Sequence, residues 1–129
     1  MRRGTFDLEF VSGDYVDDLY FQIGTMPDPT QPVSEANPFT PTNLTGWTAK
    51  LSAATAGGTA LFSLTNGVEL TINGPTGEVS GFIPSAKSVL ATPVLVRSAA
   101  HVYDLTLTDT QGHARTYVGG RMLVTAGVP

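Results

Sequence analysis

HVYDLTLTDTQGHARTYVGGRMLVT, residues 101–125, decides how the rest of the chain is read. Tyr103, Leu105 and Leu107 alternate with polar residues, Asp109-Thr110-Gln111-Gly112 supplies a polar turn, and a second run starts at Arg115. Alternation at period two gives a strand one apolar and one wet face, and two such runs joined by a Gly-containing turn spell an antiparallel hairpin. Its inward set is Tyr103, Leu105, Leu107, Met122 and Val124, and Gly119-Gly120 in the second run marks a bulge or a close backbone approach. On the opposite face of the second run stand Tyr117 and Leu123, apolar for a surface meant to be wet.

Working outward, the segments before this hairpin read as more strands. Residues 92–100 hold Val94, Leu95 and Val96 with Arg97, a short edge strand or an ordered loop. Residues 84–90 form the single helix-like segment, a turn that Ser85 can cap and that carries Val89 and Leu90 to the core. Residues 78–83 put Val79, Gly81 and Ile83 on one face. Residues 60–64 and 68–72 are two short strands joined by Asn66-Gly67, a tight hairpin turn in which Val68, Leu70 and Ile72 alternate with Glu69 and Thr71. Residues 47–51 place Trp47, Ala49 and Leu51 inward, with Trp47 as a core anchor.

Residues 24–43 break the pattern with five of the nine prolines, Pro27, Pro29, Pro32, Pro38 and Pro41, which cannot donate to a regular ladder. This is a long Pro-rich loop. A loop of that length in a compact domain is usually functional or disordered, and proline lowers the entropy its ordering costs. Val33 and Phe39 are apolar residues it can offer to a neighbour or fold back onto its own domain. Before it, residues 15–23 direct Leu19, Phe21 and Ile23 to one face, and residues 5–11 alternate Phe6, Leu8 and Phe10 with Asp7 and Glu9. Strands at this spacing with no long helix give an all-β, antiparallel sandwich as one domain over residues 1–129, with at most one short helical turn.

Composition narrows the chemistry. Seven Lys plus Arg against eleven Asp plus Glu give a net charge of −4, which argues against nucleic acid as a partner. No apolar run reaches the roughly 20 residues of a membrane-spanning helix, and the first residues are not a signal-peptide core, so a soluble chain without a membrane partner is expected. With no cysteine there is no disulfide, thiolate metal site or thiol nucleophile. Only 14% of residues are charged, against about 25% in ordinary proteins, and such a surface is easier to desolvate against another protein. Asp14, Asp17 and Asp18 lack the interleaved oxygen ligands of a dedicated calcium loop. His101 and His113 lie before a strand and in a turn, and Asp104 and Asp109 define no cleft, so no catalytic, metal or cofactor site is expected.

One resemblance adds to this. Leu44-Thr45-Gly46-Trp47-Thr48-Ala49-Lys50-Leu51, Asn66-Gly67 with Thr71-Ile72-Asn73-Gly74-Pro75-Thr76-Gly77, Val102-Tyr103-Asp104-Leu105-Thr106-Leu107-Thr108-Asp109 and Gly120-Arg121-Met122-Leu123-Val124 together resemble small tailed-bacteriophage virion proteins. Gly13-Asp14 and the strand after it match the usual opening of that group. The likeness is to immunoglobulin-like β-sandwich domains similar to the N-terminal domain of baseplate upper proteins. The Pro-rich segment is longer than that pattern expects, and residues 92–100 stand where it has a short link.

The resemblance implies a non-enzymatic structural component of the virion, assembled in the bacterial host cytoplasm and docked on the tail tip, baseplate or fibre. Its partners would be other phage structural proteins, and it would be present as a homo-oligomer or in multiple symmetric copies. Capsid decoration on the head shell is the alternative, and a carbohydrate-binding module using Tyr15, Tyr20 or Trp47 is a further one. The expected interface comprises Pro29, Pro32, Val33, Pro38 and Phe39 of the loop with Tyr117 and Leu123 of the last strand.

Overall fold

The computed structural model describes residues 4–5, 7–28, 30–93 and 97–126. Their strands are β1 (Gly4–Thr5), β2 (Leu8–Val11), β3 (Val16–Gln22), β4 (Gly24–Thr25), β5 (Thr40–Pro41), β6 (Thr48–Ala54), β7 (Ala60–Thr65), β8 (Leu70–Asn73), β9 (Glu78–Ile83), β10 (Ser98–Thr108) and β11 (Ala114–Thr125). One α-helical turn, α1 (Ser85–Ser88), runs on into a short 3-10 turn at Val89–Ala91, and another 3-10 turn spans Gly74–Thr76. Two sheets carry the core. The larger has the order β1-β11-β10-β6-β7, with β2 also on β11, and the smaller is β3-β9-β8. In the immunoglobulin arrangement one sheet reads B-E-D and the other G-F-C, extended by C′ in variable-type domains. Here β3-β9-β8 and β11-β10-β6-β7 stand in those two orders, so the chain is an antiparallel immunoglobulin-like β-sandwich.

The hairpin of β10 and β11 forms as its alternation dictates, and the pairing runs from Ser98↔Thr125 to Thr108↔Ala114. Asp109 closes it, its Oδ1 accepting from the Gln111 and His113 amides at 2.9 and 3.0 Å. Leu105, Leu107, Met122 and Val124 are buried from one side of the interior, and Leu19, Val79, Leu70 and Ile83 from the other. Immunoglobulin domains often join strands B and F by a disulfide. This chain has no cysteine, and Phe21 on β3 faces Tyr103 on β10 instead, with ring centroids 6.3 Å apart.

Several expectations are corrected. The N-terminal run is not one antiparallel strand: β1 and β2 both lie parallel to β11, with Gly4↔Val118 and Leu8↔Met122 in register. Asn66-Gly67 closes no hairpin, because β7 pairs with β6 in the large sheet and β8 with β9 in the small one. Gly67 does take a positive φ of 84°, but the turn carries the chain across the sandwich, leaving Val68 exposed and Glu69 buried. The helical turn buries Ser88 and Ala91 rather than Val89 and Leu90, which stay exposed. There the Ser88 hydroxyl donates to the Asp14 carbonyl at 2.7 Å, and His101 Nε2 lies 3.1 Å from the Ala91 carbonyl. Val94, Leu95 and Val96 lie outside the described residues.

Candidate functional site

Prolines at 27, 32, 38 and 41 withhold donors from a regular ladder, and the described residues of 24–43 join neither main sheet. At its base β4 pairs with β5 through Gly24↔Pro41 and Thr25↔Thr40. Gly24 is required there: a β-carbon would collide with the Phe39 ring and the Thr40 carbonyl. At its centre sits Asn37, only 7% exposed. Its Oδ1 accepts from the Asp28 amide at 2.8 Å, and its Nδ2 donates to the carbonyls of Asp28, Gln31 and Pro32 at 2.8 to 3.3 Å. Asp28 takes the Thr30 hydroxyl and amide on Oδ1, and these bonds hold its carboxyl below the usual range. A buried side-chain amide is thus nearly saturated by backbone that proline has removed from sheet pairing.

This scaffold sorts the expected contact residues. Pro32, Val33 and Pro38 are exposed on it, Val33 at 62%. Phe39 is half-buried against Gly24 and so folds back onto its own domain. Pro29 lies outside the described residues. Leu123 is 38% exposed on the outer face of the large sheet, where with Ala100, Leu8 and Arg121 it lines a cavity of about 260 Å³. Tyr117 is a correction: it is 7% exposed and packs on Trp47 at 6.2 Å between centroids. The cause is a bulge between Leu105 and Thr106, where the register steps from Leu105↔Val118 to Thr106↔Thr116. The step turns Tyr117 inward beside Val118, so it contributes to no free surface.

The small sheet's outer face carries exposed aromatics. Tyr15, 57% exposed, stacks on Phe82 with centroids 5.5 Å apart. Tyr20, 50% exposed, donates its hydroxyl to Glu78 Oε2 at 2.7 Å, a bond that raises its own pKa. Trp47 is half-buried and belongs to the Tyr117 contact.

Candidate chemistry is dispersed. His113 Nδ1 lies 3.5 Å from Asp109 Oδ2 at the tip of the hairpin, where Asp109 is already occupied with the turn. No group of three or more His, Cys, Asp or Glu that could hold a metal occurs among the described residues, and none of their helices is long and apolar enough to cross a membrane. The charged contact that sequence reasoning missed is internal. Lys87 Nζ on α1 meets Glu69 Oε2 at 2.5 Å and the Ser63 carbonyl of β7 at 2.7 Å, while the Thr65 amide donates to Glu69 Oε1 at 2.9 Å. Burial favours the neutral acid, and the bonds from Lys87 and Thr65 overcome it, so the Glu69 pKa is lowered. No local signal reveals this pair, since Glu69 reads as the wet position of an alternating strand.

The class is set by strand order, an immunoglobulin-like β-sandwich with a structured Pro-rich excursion. No protein-family model matches the chain, and no curated protein matches it. Among solved structures it is similar to CopC from Methylosinus trichosporium OB3b, with 9% identity and a TM-score of 0.42 over 95% of this chain and 87% of that one. A likeness at that score carries no argument about function.

Proposed function

We propose that this chain is a non-enzymatic structural component of a tailed-phage virion, docking on the tail tip, baseplate or fibre through protein contacts made by the Pro-rich excursion. One observation carries the reading: Asn37 holds the excursion in shape while Pro32, Val33 and Pro38 face solvent. Apolar residues presented on a pre-ordered loop dock at a low cost in conformational entropy. The thin surface charge, 14% of residues, lowers the desolvation cost as well. The sequence resemblance supplies the particle and its other structural proteins as partners, and closed assemblies of that kind use their parts in symmetric copies.

The test is incorporation. The chain is expected in purified tailed particles by mass spectrometry. Val33→Asp is expected to leave the melting temperature unchanged and to remove the chain from the particles. A chain that stays outside the particles, or a Val33→Asp chain that enters them as before, contradicts the reading. Labelling on the head shell would instead favour capsid decoration. A carbohydrate-binding role has its own supporting observation in Tyr15, Phe82 and Tyr20 on one exposed face. Glycan-array binding that disappears in Tyr20→Ala would favour it over docking.

A further inference from the structure

We infer that the outer edge of β3 accepts an extended segment of a partner protein that alternates apolar residues with lysine or arginine. β3 is seven residues long and, among the described residues, pairs only with β9, so half of its backbone N–H and C=O groups face away from the sheet. An edge of that length is a template for another strand. The other edges are less available. On β7 the Lys87 ammonium holds the Ser63 carbonyl, and β8 and β2 have only four residues each.

Beneath the β3 edge, the gap between the two sheets forms a cleft of about 170 Å³. Leu8 and Phe10 of β2, Val16 and Leu19 of β3 and Ile83 of β9 give it an apolar floor. A strand laid on β3 would direct every second side chain toward that floor, at intervals of roughly 6.6 to 6.8 Å. Asp7, Glu9 and Asp18 line the same cleft. Asp7 already meets Arg121 at 3.4 Å, while Glu9 and Asp18 have no ion-pair partner among the described residues. Between Val16 and Leu19 the pairing with β9 is irregular, at Asp17 and Asp18.

These carboxylates select the occupant. Cationic residues flanking the inward apolar ones complete the charges at the rim. A second copy of the chain is disfavoured, because β3 carries Asp17 and Asp18 and no Lys or Arg, so two such edges brought together offer each other no cation. The inference rests on the edge itself and holds whether or not the chain is a virion part.

The test is titration of the isotopically labelled protein with a synthetic peptide alternating lysine with valine, and with its glutamate–valine counterpart. The lysine peptide is expected to shift and protect the amides of Val16–Gln22, and the acidic peptide to bind at least about tenfold more weakly. Glu9→Lys with Asp18→Lys, both at exposed positions, is expected to reverse that preference. Should this double variant fail to fold, Glu9→Gln with Asp18→Asn is expected to remove it. No perturbation of β3 by the lysine peptide, or equal binding of both peptides, overturns the inference. So does a concentration-dependent dimer in sedimentation that Asp18→Lys strengthens, which would make a second copy the occupant.

Discussion

At residue scale the strongest constraint is Glu69, 5% exposed with Lys87 as its partner. Removing one member of a buried pair leaves a desolvated charge, which typically costs ~3–5 kcal/mol. Lys87 is 33% exposed, so water screens part of the loss, and Glu69→Ala is expected to cost about 2 to 3 kcal/mol in urea unfolding. Glu69→Gln keeps an acceptor for the Thr65 amide and should cost less. Equal unfolding midpoints for wild type and Glu69→Ala would contradict the pairing. The core residues were legible in the sequence: Leu19, Phe21, Leu51, Leu105, Leu107, Met122 and Val124 are buried where alternation puts them. Glu69 and Tyr117 were not, because the burial of one follows from a chain crossing and of the other from a bulge. Neither event leaves a mark in local periodicity.

Elements were legible where they pair with their sequence neighbours, as β10 and β11 do. They were not legible where partners are remote: β1 and β2 join β11 in parallel from the far end of the chain. The Pro-rich excursion was foreseeable as a loop, but its internal bonding was not, since it depends on one asparagine contacting backbone five to nine residues away. Asn37→Ala removes those bonds, each worth roughly 1 kcal/mol net. The expected outcome is faster hydrogen exchange across residues 28–38 with β10 and β11 unchanged. Exchange that stays slow in the loop would show that the prolines alone hold it.

For the whole molecule, two packed sheets make one cooperative core, and Leu105→Ala at its centre is expected to cost ~2–5 kcal/mol. Charge sets the limits in pH. The pKa of Glu69 is lowered by the fold, as are those of Asp28 and Asp109, so the stability they contribute is full above the ordinary carboxylate range and is lost as pH falls through their folded values. Tyr103 behaves in the opposite sense. Burial and the Asp7 carboxylate push it up to about 12, so its contribution is full below the ordinary tyrosine value and is lost as pH rises toward 12. Thermal melts are therefore expected to peak between these limits, and a melting temperature that rises below pH 4 would contradict the sign for the acids.

Docking through a pre-ordered loop is tested most directly by hydrogen exchange on the free chain and on the chain within purified tailed particles. The expected result is new protection over residues 31–38, with the hairpin turn at Asp109 to His113 unchanged. Identical exchange in the two states across that loop would contradict docking there.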